Sequence, residues 1–378
     1  MQESGLRGRG GGQFPAAAKW RAVRAEGGEP VVIANGAEGE PGSIKDRHVM
    51  LTRSRDVLEG LLLAARAVGA REAFVYLKGS FRAPEAVLQK ALAGLDTRGV
   101  RVEMRRGADS YVAGEETAVL EVLEGRRAWP RPKPPLPASV GLHGRPTLVQ
   151  NVETLARVPA AIADPAGFRA HERTLVSIWG DVRRPGVHDV ALGTPLGRLI
   201  EEHAGGAAGA VGLLFPAGPS APPLGPEGLE LPLDAAALKR AGSGLGTGSL
   251  LVVSAARCPL SVGSSLADFF EREACGQCPP CSVGSASLAR VLRALEAGGA
   301  RPKDLAGLAE AAGFMSIHGY CAHSRTAAAS VSGLLERCRA ELDAHLAGGC
   351  PRPGGRWRPF DDDAPARRAI ESLVAFEA

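Results

Sequence analysis

The length, composition and charge of this 378-residue chain exclude several classes of protein. Its 45% hydrophobic and 23% charged residues are typical of a globular protein with two or three domains. A net charge of +4 is too small to indicate a nucleic-acid partner. No apolar run is long enough to span a bilayer, and no signal peptide is evident at the amino terminus. Seven cysteines, an odd number, favour a reducing cytoplasmic location over a disulfide framework.

A glycine-rich stretch opens the chain. Five of the eight residues from Gly5 to Gly12 are glycine, so the backbone could approach a phosphate or a ring system closely. Gln13 stands where a dinucleotide fingerprint requires its third glycine, and no strand precedes the stretch. A ligand-binding loop and a flexible amino-terminal arm therefore both remain open.

Apolar runs alternate with helical patterns over the next hundred residues. Strands are predicted at 30–34, 74–77 and 100–104, and helices at 54–69 and 84–95. This alternation predicts a mainly parallel sheet with crossover helices. The loop after the first strand contains two carboxylates and lies at the carboxyl end of that strand, where open α/β sheets bind ligands.

Acidic residues open the following helix, predicted from 111 to 124. Glu115 and Glu116 could accept hydrogen bonds from a ligand or could complement the helix dipole. The segment 129–146 contains six prolines, which predicts a loop. Polar side chains then begin another helix within 144–155.

The pattern changes near residue 170. Strands at 174–182, 186–190 and 249–254 with a short helix at 195–203 predict a β-rich domain. From about 262 the chain is predicted to be helical, and its proline-rich end is typical of a linker or tail.

Three cysteines stand close together in the helical region. Cys275, Cys278 and Cys281 offer tandem thiolates, and Cys321 supplies a fourth after a helical stretch. Four thiolates suit a cubane iron–sulphur cluster, whereas structural zinc sites usually present two separated pairs. Zinc and redox-inert cysteines remain the alternatives. The other three cysteines are expected to be structural or incidental: Cys258, Cys338 and Cys350.

These segments, taken in order, resemble the flavoprotein (F, or 51 kDa) component of respiratory NADH dehydrogenase (complex I), which carries FMN and one [4Fe-4S] cluster. The resemblance runs from Ser4 to about residue 345. Family members usually carry a further amino-terminal segment, whereas this chain begins three residues before Ser4. The motifs that carry the resemblance are Ser4–Gly11, Phe14-Pro15 with Lys19-Trp20, Glu38–Gly42 with Lys45–Arg47, Tyr111–Thr117, Asn151–Thr154 and Cys275–Cys281.

The resemblance implies three domains and a tail. A Rossmann-like α/β FMN and nucleotide-binding domain is expected over 1–165. A ubiquitin-like β-grasp domain, of the soluble-ligand-binding type, is expected over 170–256, and a helical bundle holding the [4Fe-4S] cluster over 262–347. Residues 348–378 are expected to form a flexible tail.

The resemblance also implies site residues. No catalytic side chain is expected, because hydride passes from cofactor to cofactor. The expected cluster ligands are Cys275, Cys278, Cys281 and Cys321. The expected NADH-contacting residues are Phe14, Glu38, Glu40, Glu116 and Lys133. The expected FMN-binding residues are Gly8, Arg9, Gly10, Gly11, Lys19, Asn35, Glu38, Tyr111, Gly114, Glu115, Asn151 and Thr154.

The implied function is oxidation of NADH through FMN, with single electrons passed to the cluster and to a partner such as a [2Fe-2S] protein or a ferredoxin. Attachment to a membrane would then be peripheral, through partner subunits. Some positions depart from the family pattern: Ala22, Ala37, Leu136 and Gln150. The loss of two stacking rings, at 22 and 136, raises a second hypothesis, an electron-transfer adaptor with little affinity for NADH. A zinc-binding scaffold is the third.

Overall fold

The computed structural model describes residues 1–374, which form two compact units. The first unit contains residues 1–39 and 43–175, and the second contains 40–42 and 176–373. Within residues 1–374 no helix is both long and apolar enough to cross a membrane.

A four-stranded parallel sheet forms the centre of the first unit. Its strand order is β3-β2-β1-β4, and every neighbouring pair is parallel. The predicted parallel sheet is thereby confirmed, although its fourth strand was not predicted because it directly follows the proline-rich segment. The strands are β1 (Val31–Gly36), β2 (Glu72–Leu77), β3 (Arg101–Arg106) and β4 (Thr147–Asn151).

Helices cover both faces of this sheet. Alternate strand residues such as Val31 and Ile33 pack against Val119 and Leu120 of α5, and α3 and α6 contact the sheet and each other. Both faces are therefore apolar, as parallel sheets require. The helices are α1 (Ala16–Glu26), α2 (Lys45–Thr52), α3 (Ser54–Val68), α4 (Arg82–Ala93), α5 (Glu116–Leu123), α6 (Val152–Ala163) and α7 (Pro165–Ala170).

The second unit begins with another four-stranded sheet, in the order β6-β5-β8-β7. Its central pair, β5 and β8, is parallel, and β7 runs antiparallel to β8. Helix α8 (Leu196–Ala204) packs its buried leucines into the core of this sheet, and α9 (Ala235–Arg240) adds Leu238 to the same core. The strands are β5 (Arg173–Gly180), β6 (Gly186–Ala191), β7 (Val211–Phe215) and β8 (Ser249–Ser254).

The rest of the second unit is helical, as predicted. Phe269, Leu288, Leu292 and Leu334 are buried on its helices and form its apolar interior. The helices are α10 (Pro259–Arg272), α11 (Pro279–Glu296), α12 (Pro302–His318), α13 (Ala322–Arg337), α14 (Arg339–Leu346) and α15 (Pro365–Glu371).

The described part of the segment after 348 differs from the flexible tail that its composition predicts. Phe360 is fully buried, with its ring 5.6 Å from that of Phe215 and 6.2 Å from that of Trp179. Arg358 forms ion pairs with Asp268 and with Glu296, the latter at 2.9 Å. One buried aromatic ring and one paired arginine thus hold a proline-rich segment that has little apolar periodicity of its own.

Because α3 packs closely on α6, we predict that Gly60 of α3 cannot be replaced by a larger residue without loss of stability. A Cβ added at Gly60 would lie 1.9 Å from the carbonyl oxygen of Leu155, so Gly60→Ala must push the two helices apart. We expect a loss of about 2 kcal/mol and a thermal midpoint lowered by roughly 4–8 °C, measured by differential scanning fluorimetry. Gly307→Ala, in α12 with nothing within 4 Å of its Cβ, is the control. Equal midpoints for the two variants would contradict this packing argument.

Candidate functional site

The strand order in the sheet of the first unit reverses at β1. We call the region outside the carboxyl ends of β1 and β4 the crevice. The chain proceeds from β1 to β2 and β3 on one side and then returns to β4 on the other side of β1. Ligands in open α/β sheets bind at such a switch point, outside the carboxyl ends of the strands. Asn35 at the end of β1 and Asn151 at the end of β4 are register partners there.

The glycine-rich stretch is fixed at this edge of the sheet. The Arg9 backbone N–H donates to the Thr154 hydroxyl at 2.8 Å, and the Gly8 N–H donates to the Phe14 carbonyl at 2.9 Å. A Cβ at Gly10 would lie 3.2 Å from the Cβ of Asn151, whereas one at Gly12 would meet nothing within 4 Å. The stretch is therefore a loop packed on β4 and α6 with open space beside Gly12, and the flexible-arm alternative is wrong.

The Arg9 side chain anchors this loop from below. Its guanidinium is 2% exposed, lies 2.6 Å from the Glu172 carboxylate and donates to the Arg173 carbonyl at 3.3 Å. Burial lowers the pKa of Arg9, and the acids Glu153 and Glu172 oppose that shift. The arginine predicted to bind the cofactor thus uses its side chain to hold the fold and offers its backbone to the crevice.

A buried ion network lies under the crevice. Lys45 Nζ lies 2.6 Å from the Asp46 carboxylate and 3.2 Å from that of Glu153, which also pairs with Arg157 at 3.0 Å. Burial raises the pKa of Asp46, although Lys45 opposes it. Burial also works against ionisation of Glu153, but Lys45, Arg157 and Arg9 outweigh it and lower the pKa of Glu153 to about 2.

This network orients the crevice asparagine. Asn151 Nδ2 donates to Asp46 at 2.7 Å, while its Oδ1 accepts from the N–H groups of Glu153 and Thr154 as the N-cap of α6. The amide therefore has one orientation, set by an acid on one side and a helix start on the other.

Glu38 is committed to the start of α2. Its carboxylate accepts from the Ser43 hydroxyl at 2.7 Å, from the Asp46 N–H at 3.0 Å and from the Arg47 N–H at 3.2 Å. Burial alone would raise the pKa of Glu38, but Arg47 and Lys45 reverse the shift and lower it. The carboxylate is thus ionised and anchors the loop that follows β1.

Two lysines and two acids meet beside the crevice. Glu116 lies 2.8 Å from Lys19 and 2.8 Å from Lys133, and Lys133 also lies 2.7 Å from Glu115. Burial works against the charge on Glu116, but the lysines prevail and hold its pKa at about 2. Glu115 accepts hydrogen bonds from the N–H groups of Thr117 and Ala118 and so caps the start of α5. Of the two predicted uses of this acid, this is the structural one.

The segment before α5 closes one side of the site. Asn35 Nδ2 donates to the Gly114 carbonyl at 2.8 Å, and a Cβ at Gly114 would lie 2.7 Å from the Ala37 carbonyl oxygen. A Cβ at Gly39 would lie 3.1 Å from the Cα of Tyr111. These close approaches bring together residues from 35 to 39 with residues from 111 to 114.

Some of the expected nucleotide-contacting residues stand apart from this network. Phe14 is 57% exposed, which leaves its ring accessible to a ligand. Leu136, a position where the family pattern has a ring, is also exposed. Gly11 adopts a positive φ of 102°, a conformation that favours glycine. Glu40 belongs to the second unit, where the Ser220 hydroxyl donates to its carboxylate.

The four expected thiolate ligands lie together in the second unit. Cys278 is the N-cap of α11 and Cys321 the N-cap of α13, with Cys281 in the first turn of α11. Burial together with Cys278, Cys321 and Cys275 raises the pKa of the Cys281 thiol to about 12. The other three cysteines thus disfavour a negative charge on Cys281, because like charges repel.

A compact set of ligand-type side chains lies elsewhere in the second unit. Within residues 1–374, the only set of three ligand atoms lying within 4.8 Å of one another belongs to Cys258, His345 and Cys350.

Fold and site together define a class: a two-unit protein with a parallel α/β sheet whose strand ends gather polar side chains and a glycine loop, and a helical region in which four thiols lie near one another. Two family models match the chain. The Nuo51 FMN-binding domain matches residues 1–160, and the NADH-ubiquinone oxidoreductase-F iron-sulfur binding region matches residues 262–345.

Curated relatives agree. The chain is 38% identical over 369 residues to the NADH-quinone oxidoreductase F 2 subunit of Rhizobium meliloti (strain 1021), covering 92% of this chain and 87% of the relative. It is 34% identical over 371 residues to the F subunit of the Rickettsia felis enzyme, covering 92% and 88%. The chain therefore belongs to the family of NADH-quinone oxidoreductase F subunits, as the resemblance predicted, and carries the family's FMN-binding and [4Fe-4S] regions.

A solved structure shows the same fold. The chain superimposes on a chain of an NAD⁺-reducing [NiFe]-hydrogenase in the H₂-reduced state with a TM-score of 0.85 and 35% identity. The similarity covers 91% of this chain and 62% of the hydrogenase chain. The air-oxidised hydrogenase gives a TM-score of 0.84.

The sequence analysis assigned no role to the residues that support the site from beneath. Asp46, Glu153 and Arg157 form the buried network, although they lie in or beside the motifs that carry the resemblance. The available signal was an acid at the start of an otherwise apolar helix, with an arginine four positions later, which predicts an ion pair on one helix face.

The low pKa of Glu153 predicts how stability depends on pH. Since its pKa is about 2 when folded against 4.5 ordinarily, its stabilisation is complete above pH 4.5 and is lost as the pH falls toward 2. Glu153→Gln should cost about 3–5 kcal/mol at pH 7, because it breaks a buried network, and the difference from the wild type should shrink in acid. Urea denaturation followed by tryptophan fluorescence measures both effects.

The matched control is Glu202→Gln, which breaks an exposed pair with Arg198. That variant should change the free energy of unfolding by less than about 0.5 kcal/mol. A similar small effect for Glu153→Gln would contradict the structural role assigned to the network.

Proposed function

We propose that this chain is the electron-input component of a multi-subunit oxidoreductase, which takes hydride from NADH and passes single electrons through a [4Fe-4S] cluster to a partner. The observation that carries the proposal is the crevice at the end of β1 and β4, where the glycine loop packs on Asn151. Family membership supports the same conclusion.

FMN fits this crevice. Glycines at positions 10 to 12 leave no side chain between the backbone and a ligand, and open space lies beside Gly12. Asn35, Asn151, Thr154 and the loop N–H groups are polar contacts for a phosphate and ribityl chain. Further contacts are proposed from Gly8, Arg9, Gly10, Gly11, Lys19, Glu38, Tyr111, Gly114 and Glu115.

When bound, FMN can accept a hydride and release its electrons one at a time. The protein's part is to bind and orient. Asn151 is held by Asp46 and by the start of α6, so its amide has one fixed orientation. No side chain needs to act as an acid or a base in this scheme.

The lysine and glutamate cluster is proposed to select the nucleotide. Lys19 and Lys133 offset Glu115 and Glu116, so the four side chains carry no net charge, and the ionised Glu116 repels an added 2′-phosphate. Phe14, which is exposed, offers one ring for the adenine. Glu38 and Lys133 complete the proposed NADH contacts of the first unit. Glu40, which belongs to the second unit, stays a prediction.

Cys275, Cys278, Cys281 and Cys321 are proposed to ligate the cluster. Two of these cysteines, Cys278 and Cys321, are the N-caps of α11 and α13. Loading with iron releases the thiol protons, and the cluster then supplies one-electron transfer.

The proposed domain limits remain 1–165 for FMN, 170–256 for a β-grasp domain and 262–347 for the cluster. The order β6-β5-β8-β7 with a parallel central pair supports the β-grasp assignment. For the predicted flexible tail over 348–378, the described residues up to 374 belong to a packed segment, and 375–378 lie outside the described residues.

An iron–sulphur protein, such as a [2Fe-2S] protein or a ferredoxin, is the proposed partner. Apolar side chains stand exposed close in sequence to the ligand cysteines: Val283 is 68%, Phe314 54% and Ile317 77% exposed. Electrons that reach the cluster must leave to another centre, and an apolar surface near it suits docking. Peripheral membrane attachment and a cytoplasmic location would follow from such a partner and stay predictions.

Anaerobic stopped-flow mixing tests the proposal. FMN-loaded protein mixed with NADH should show rapid loss of the flavin absorbance. No fast bleaching at millimolar NADH would instead support the adaptor hypothesis raised by Ala22 and Leu136.

The charge argument predicts a change in nucleotide preference. Glu116→Gln leaves the cluster with one net positive charge, so kcat/KM for NADPH relative to NADH should rise about tenfold or more. Glu121→Gln, on the same helix but paired with Arg126 and Arg131, is the control. An unchanged ratio would exclude Glu116 as the discriminating group.

Removal of one ligand predicts loss of the cluster. Cys321→Ser should abolish the [4Fe-4S] absorption and EPR signal, because one iron then lacks its thiolate. Cys350→Ser should keep both. The reverse result would overturn the ligand assignment.

The docking surface predicts a separable defect. Ile317→Glu should weaken association with the iron–sulphur partner about tenfold or more, while NADH oxidation by an artificial acceptor stays unchanged. Ile162→Glu, at an exposed position of the first unit, is the control, and size-exclusion chromatography of the complex measures the effect. Equal partner binding by Ile317→Glu and Ile162→Glu would show that the partner does not dock on the surface around Ile317.

A further inference from the structure

Three ligand-type side chains converge in the second unit outside the four-thiol site. Cys258 Sγ lies 3.6 Å from Cys350 Sγ and 3.5 Å from His345 Nε2, and all three atoms lie within 4.8 Å of one another. Cys258 and His345 are buried, while Cys350 is half-buried. The first and last of these residues are 92 positions apart, and two lie outside the segment matched to the iron–sulphur model.

The distances match those of a tetrahedral zinc site. Zinc–sulphur bonds of about 2.3 Å and zinc–nitrogen bonds of about 2.05 Å give tetrahedral edges of roughly 3.8 Å between two sulphurs and about 3.6 Å between sulphur and nitrogen. The observed 3.6 Å and 3.5 Å lie close to these edges. A disulfide would instead need the sulphurs about 2.05 Å apart.

The histidine is oriented as a metal ligand. Its Nδ1 lies 2.9 Å from the carbonyl oxygen of Leu295, an acceptor, so Nδ1 carries the proton. Nε2 is then left with its lone pair directed toward Cys258. A backbone carbonyl that fixes the tautomer in this way is the usual support of a metal-bound histidine.

The surrounding backbone holds the three groups in place. Cys258 is the N-cap of α10, and its N–H donates to the Gly355 carbonyl at 2.8 Å. Arg352 pairs with Glu341 of α14 at 2.8 Å and ties down the loop that carries Cys350. The ligands thus come from a helix start, a helix and a tethered loop, a preorganised arrangement.

We propose that Cys258, His345 and Cys350 bind one zinc ion, with two thiolates, one imidazole and a fourth position taken by water. Zinc is favoured because two sulphurs and one nitrogen suit a borderline-soft ion with no redox chemistry. Binding releases two thiol protons, and the two thiolates neutralise the ion. The ion fastens the segment after α14 to the start of α10, a structural role separate from NADH oxidation.

Metal analysis of the intact protein tests this site. Flavin- and cluster-loaded protein, purified anaerobically and dialysed against EDTA, should contain about one zinc per chain beside its iron. Cys350→Ser and His345→Gln should lower zinc below about 0.2 per chain while iron and acid-labile sulphide stay unchanged. His318→Gln, at an exposed position of α12, should keep its zinc.

Spectroscopy on the wild type gives an independent readout. Zinc K-edge X-ray absorption should show about two sulphur and two lighter neighbours. Absence of zinc from the wild type, zinc retained in both variants, or a Cys258–Cys350 disulfide found by thiol alkylation and mass spectrometry would each overturn the proposal. If His345→Gln loses iron through misfolding, the zinc content of Cys350→Ser and the X-ray absorption spectrum of the wild type still test the zinc site. Loss of the cluster with zinc intact would count against the iron assignment alone.

Discussion

The buried charge network around Lys45 is the constraint on which the nucleotide crevice depends. One lysine, inaccessible to water, needs Asp46 and Glu153 close by, since an unpaired buried charge would cost several kcal/mol. The same acids shape the ligand site, because Asp46 orients Asn151 and Glu153 lies in the first turn of α6. Packing of the glycine loop on Asn151 and Thr154 then follows, so loop, strand end and helix start are positioned by one set of ion pairs.

Several of the proposed sulphur ligands stand at helix starts. Cys258, Cys278 and Cys321 are the N-caps of α10, α11 and α13. At such positions a side chain lies outside the regular hydrogen bonding of the helix. The helical part of the second unit therefore presents thiols in two separate groups, the four proposed cluster ligands and the compact set that contains Cys258.

Local pattern predicted much of the fold because regular alternation and apolar periodicity act within a few residues. The parallel strands at 31–36 and 72–77, the helix at 54–68 and the helical region after 262 follow from such patterns. Strand β4 was missed since it follows a proline-rich loop. Helices α1 and α2 were missed because neither has a stripe of large apolar residues: α1 is rich in alanine and α2 is mostly polar. The described part of the terminal segment differs from the flexible tail that its composition predicts, because Phe360 and Arg358 act singly and their main partners lie about 60 or more positions away.

By itself the sequence determined the class of protein and its principal ligands. A tandem cysteine run, a glycine loop and acidic residues after a strand keep their chemical meaning at short range, whatever surrounds them. Tertiary structure alone decided which groups share a site: that Asn35 meets Asn151, that Arg9 is buried against Glu172, and that Cys258 faces His345 and Cys350. The reason is physical, because pairing across long chain separations depends on strand register and helix packing, which no local pattern encodes.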